Sequence, residues 1–100
     1  MSDGDGAVEI RKTLGQSHRD LHRILPRVLR DLTFEAKGAG YRAESGTRKL
    51  DIAFGDESVH QIALLKMPQT SVRFRFDGWN GSEINDFMER FHRAFQKGGG

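Results

Sequence analysis

Apolar and polar residues alternate along Arg48–Phe54, so Leu50, Ile52 and Phe54 fall on one face of a strand. The same period returns over Ser71–Asp77, where Val72, Phe74 and Phe76 share one face and Arg73, Arg75 and Asp77 take the other. Between these runs His60–Met67 is more evenly apolar and reads as a further strand. Thr33–Glu44 reads as a long, irregular strand in which Gly38 and Gly40 predict a bulge or a strong bend. Turns are expected at Ser45-Gly46, at Gly55–Ser58 and at Pro68–Thr70. Four strands joined by connections this short pair antiparallel, as a meander.

Two stretches change the period from two to about 3.6. Leu21, Ile24, Leu25, Val28, Leu29 and Leu32 form one stripe behind Ser17, a plausible N-cap with Asp20 at N3. Pro26 cannot donate to the carbonyl of His22. The apolar phase continues past it, which predicts one kinked helix rather than two. Ile84, Phe87, Met88, Phe91, Ala94 and Phe95 form the second stripe. Just before it, Asn80 as N-cap and Glu83 at N3 make a capping box, with Trp79 and Ile84 in the two positions of a hydrophobic staple. Ser82 is the competing N-cap. Residues 7–14 carry Val8, Ile10 and Leu14 in alternation, interrupted by Lys12, and fit either an added N-terminal strand or the start of the first helix.

A sheet with one apolar face and helices with one apolar stripe bury them against each other. The expected fold is therefore α+β in two layers. A four-stranded antiparallel meander carries both helices on one face, in the order α-β-β-β-β-α, with room for an extra N-terminal strand. Residues 7–97 make one domain, flanked by a disordered acidic N-terminus (1–6) and a flexible glycine tail (98–100).

Composition narrows the classes open to this chain. Its 100 residues contain no cysteine, which removes disulfides, thiolate metal sites and cysteine nucleophiles. No apolar run approaches the ~20 residues of a membrane span. A cytoplasmic protein without a membrane partner is expected. The net charge of +2 hides an asymmetry: six basic residues and a single acid, Asp20, lie between Arg11 and Arg30. Such a concentrated field attracts acidic partners.

The clearest candidate for function is a ridge of Arg19, Arg23, Arg27 and Arg30, which share an arc of about 80° on a continuous helix. Guanidinium groups in a row make forked bonds to carboxylates or phosphates; the plainer reading is a solvated helix face. Arg73 and Arg75 form a second basic strip on the open sheet face, where Asp51 and Asp77 could pair with them across strands. No aromatics interleave with that strip, unlike the stacking surfaces of single-strand RNA readers. His18 and His22, four residues apart, could present two imidazoles to a metal, with His60, His92 or a carboxylate as third ligand. Histidines at the edge of an apolar stripe more often half-bury their rings and hydrogen-bond, so no metal is expected. Trp79, the sole tryptophan, is either a staple residue or part of a ligand pocket.

Nucleophile elbows, phosphate loops and paired catalytic carboxylates are missing from the sequence. The expectation is a non-enzymatic interaction domain without a cofactor. Its partner would be an acidic protein surface or a second copy of the chain, with RNA as the alternative. A small-ligand or enzymatic site around Trp79 and His92 is the third reading.

Overall fold

A computed structural model describes residues 7–98 of the protein. The described residues form one α+β domain: β1 (Ala7–Leu14), α1 (His18–Val28), β2 (Thr33–Ala36), β3 (Gly40–Ser45), β4 (Arg48–Ile62), β5 (Leu65–Asp77) and α2 (Gly81–Gly98). The strands make a single five-stranded sheet in the order β1-β5-β4-β3-β2, with every neighbouring pair antiparallel. The chain starts on one edge, crosses to the far edge through α1, and returns as a meander that ends beside β1. Residues 1–6 and the last two glycines of the tail lie outside the described residues.

Residues 7–14 are a strand, pairing Ala7 with Asp77 and Leu14 with Thr70 along β5. Ile10 and Leu14 pack on the core, while Val8 is largely exposed. The added N-terminal strand is thus the alternative observed, and the sheet has five strands. Thr33–Glu44, expected as one long bent strand, is two strands. Gly38 takes φ +55°, and the N–H of Lys37 donates to the carbonyl of Gly40 at 3.0 Å, closing a hairpin turn. Gly40 then sits so near β4 that an added Cβ would lie 1.9 Å from the Ile52 carbonyl oxygen. Only glycine fits there.

The long hairpin also departs from the expected strands and turns. His60–Met67 is not a separate strand between two turns. β4 and β5 run unbroken on either side of Ala63-Leu64, with Ile62 paired to Leu65. Ala63 takes φ +53°, a region usually left to glycine, so the turn carries no glycine or asparagine signature. Gly55-Asp56, expected as a turn, is a bulge: the register slips by one residue between Phe54, opposite Val72, and Glu57, opposite Thr70. Pro68 is tolerated within β5 because β1 stops at Thr70, leaving that edge unpaired where a missing donor costs no ladder bond.

Both helices cover one face. Leu21, Ile24, Leu25 and Val28 of α1 and Phe87, Met88, Phe91 and Phe95 of α2 join Leu50, Ile52, Phe54, Val72, Phe74 and Phe76 in one buried cluster. Several aromatic rings meet edge-on, as in Phe74–Phe91 at 4.9 Å and Phe76–Trp79 at 5.1 Å, an arrangement their quadrupoles favour, while Phe74 and Phe76 stack at 6.3 Å. Ser17 caps α1 by accepting from the N–H of Asp20, and Pro26 lies inside that single helix. The capping box of α2 is reciprocal: the Asn80 N–H donates to Glu83 Oε1 at 2.9 Å, and the Glu83 N–H to Asn80 Oδ1 at 2.8 Å.

Candidate functional site

α1 presents Arg19, Arg23 and Arg27 to solvent, opposite its buried stripe. Arg23 meets Asp20 at 3.4 Å, one turn back. The helix stops at Val28 with Leu29 as its C-cap, two residues sooner than a continuous ridge needs. Arg30 therefore leaves the helix and stands in the turn leading to β2. There it joins Arg27 on one side of a groove against α2, whose other side is Arg90 and Arg93. Val28 and Ala94 form the apolar floor of this groove, which holds about 260 Å³.

Four arginines, one from α1, one from the turn after it and two from α2, thus line one opening. Arg90 is held by Asp31 at 2.9 Å and lies over the Phe87 ring at 5.9 Å. Among the described residues no ion pair engages Arg27, Arg30 or Arg93. Such a site offers forked donors around a small apolar surface, which suits a carboxylate or phosphate attached to an apolar group. Arg90 and Arg93 escaped sequence reasoning. Their signal was available, because they sit three residues apart beside Ala94 on the border of the α2 stripe.

The sheet arginines do not belong to this groove. Arg73 and Arg75 project from the opposite face, and they differ from each other. Arg75 lies between Glu9 of β1 and Asp51 of β4 in register, and Asp51 in turn accepts from Arg42 at 3.1 Å. The row continues to Glu35, giving alternating charge across all five strands. Arg73 instead faces Arg11 on one side and Ala53 on the other, beside a hollow of about 250 Å³ at the bulge. Arg11 is itself bound to Glu9 at 2.8 Å.

The two histidines of α1 fasten the helix to the sheet. His18 Nε2 donates to the Gly55 carbonyl at 2.7 Å, and His22 Nδ1 pairs with the Tyr41 hydroxyl at 2.9 Å. Both rings pack against Phe54, at 5.5 and 5.2 Å. Burial pushes the Tyr41 hydroxyl above its ordinary pKa. Among the described residues no third histidine or carboxylate joins them in a metal-sized cluster.

Trp79 is buried, and its indole N–H donates to the Lys49 carbonyl at 3.0 Å. Arg48 stacks over the ring at 5.0 Å and reaches Glu83 at 3.6 Å. The surface hollow next to it, about 470 Å³, mixes Asp31, Glu83, Asp86 and Glu89 with Arg48 and Arg90. His92 is not on that hollow; its ring lies against Phe91 at 5.6 Å. No helix among the described residues is long and apolar enough to cross a membrane. Compared with known proteins, the chain matches no family model, no curated protein and no solved structure.

Proposed function

We propose that this protein is a non-enzymatic binding module that captures an acidic protein segment in the groove between α1 and α2. The observation that carries the reading is the convergence of Arg27 and Arg30 with Arg90 and Arg93 around the apolar floor of Val28 and Ala94. An acidic segment with an apolar side chain among its carboxylates satisfies both features at once. The four arginines are exposed, so each arginine–carboxylate pair is worth up to about 1 kcal/mol; the binding rests on several such pairs together, and the apolar contact adds shape selection. Arg19 and Arg23, farther along α1, extend the positive field and speed encounter rather than hold the ligand. The absence of cysteine suits work in a reducing compartment such as the cytoplasm.

The test is a backbone amide titration with two probes, an acidic leucine-containing peptide and a mixed-sequence RNA. Peptide-induced shifts on Arg27–Arg30 and Arg90–Ala94 are expected, and Arg30→Glu with Arg93→Glu should weaken binding by at least ~10-fold, about 1.4 kcal/mol, without moving the melting temperature. Shifts with RNA alone, fading steeply with salt, would transfer the groove to nucleic acid. Silence of the groove towards both probes defeats the proposal.

A further inference from the structure

The β4–β5 hairpin outruns the rest of the sheet. β3 ends against β4 at Gly40–Ala53, with one more bond from the Phe54 N–H to the Ala39 carbonyl. β1 ends against β5 at Leu14–Thr70. Beyond those points residues 57–69 form a bare two-stranded arm, which draws the molecule out to 48 Å against 27 and 25 Å in the other directions. Two strands without cover are marginal in water, and every second residue of an unpaired edge turns its N–H and C=O to solvent. The arm also exposes Val59, Leu64, Leu65 and Met67, which are 65, 96, 66 and 44% accessible.

The two edges of the arm are not alike. On the β5 edge Pro68 removes a donor, the usual protection against further pairing. The β4 edge has no such guard. Ser58–Leu65 is the longest run in the chain without Asp, Glu, Lys or Arg, within a protein that is 30% charged. From Ser58 onward the edge carries no formal charge, so it gives a foreign partner nothing to select by sign and a second copy nothing to repel.

We infer that two copies of this chain pair through the free β4 edge, arm against arm and antiparallel about a two-fold axis at Val59. In that register Val59 lies beside its symmetry mate and Ser58 opposes His60. Glu57 opposes Gln61 rather than another glutamate, so no like charges meet. The length fits as well. The free edge from Asp56 to Ile62 is seven residues, about 23 Å at ~3.3 Å per residue, and an antiparallel mate of the same segment fills it before its tip reaches the Lys37–Gly40 turn. The two sheets become one ten-stranded sheet whose helices all lie on the same face. The outer edges of the joined arms are then the proline-bearing β5 edges, so the association closes at two copies.

Sedimentation equilibrium of the full chain tests this. The wild type is expected at twice its 11.3 kDa chain mass at micromolar concentration. Val59→Lys places two ammonium groups side by side across the axis and should raise the dimer dissociation constant at least tenfold. Gln69→Lys, on the arm but off the pairing edge, should leave it unchanged. Amide exchange provides a second readout that does not depend on a variant folding. Alternate amides from Asp56 to Ile62 should be protected in the wild type and lose that protection on dilution. A wild type that stays monomeric at hundreds of micromolar, or a Val59→Lys protein that dimerises as the wild type does, overturns the inference.

Discussion

The two halves of the β4–β5 hairpin belong to the same pair of strands and the same ladder, yet they live in different environments. At its root, Leu50, Ile52 and Phe54 face Phe76, Phe74 and Val72 under two helices, and all six are buried. At its tip, Val59 faces Pro68 and His60 faces Met67, and Val59, Leu64, Leu65 and Met67 stand exposed to water. Strand pairing alone therefore does not make a core. Cover does, because the favourable term scales with apolar area removed from water, whereas the ladder bonds largely exchange for bonds to solvent. The bulge at Gly55-Asp56 marks the border between the two regimes.

That border is fastened by the start of α1. The His18 N–H donates to Glu57 Oε1 at 2.7 Å, His18 Nε2 to the Gly55 carbonyl, and the buried Thr70 hydroxyl to the Gln16 carbonyl at 2.8 Å. Glu57 occupies the positive end of the helix, where a carboxylate is favoured. The extra residue of the bulge sets the register at which Glu57 meets the helix. Here the local irregularity of β4 serves the packing of α1 rather than disrupting it.

The contrast can be broken most forcefully at the root. Phe74→Ala should cost about 3–5 kcal/mol in urea unfolding, since the ring is fully buried among Phe76, Phe87 and Phe91, whereas Met67→Ala on the arm should stay within ~0.5 kcal/mol at monomer concentrations. Equal losses at the two positions would show that the arm is covered after all. A smaller effect is expected at the border. Thr70→Val keeps the volume but leaves the Gln16 carbonyl without its donor, and should cost roughly 1–3 kcal/mol, read from the same unfolding curves. A neutral result there would detach the α1 start from the hairpin.

The smallest effect is a pH dependence at the edge of the root. Tyr41 has a pKa raised from 10.0 by burial, so its neutral form is favoured in the folded chain. Its contribution to stability is complete below pH 10.0 and is lost as pH rises through the higher folded value. Melting temperatures measured across that alkaline range should fall more steeply for the wild type than for Tyr41→Phe. Identical slopes would mean that the hydroxyl ionises as freely in the fold as outside it.

What could be read from the chain without its fold follows this same division. The strands of the root, both helix stripes, the Ser17 cap and the Asn80–Glu83 box were legible, because alternation, helical spacing and cap chemistry are local; burial bears out the first two and hydrogen bonds the caps. The arm was not. Its strands carry proline and a bulge where local rules expect turns, and its true turn, Ala63-Leu64, carries residues that local rules place inside a strand. With no cover above it, the arm had no burial pattern to impose a period on its sequence.

The candidate site divides in the same way. Sequence spacing put Arg27 and Arg30 in one ridge with Arg19 and Arg23, and set the sheet arginines apart as a second strip; of these, Arg27 and Arg30 line the groove against α2. Only the packing of α1 on α2 brought Arg90 and Arg93 across from them, and only the end of α1 at Val28 released Arg30 towards the groove. Periodicity along a chain determines which face a residue occupies. Which faces meet, and which stay bare, depends on contacts between residues far apart in sequence, and those exist only once the helices have closed over the sheet.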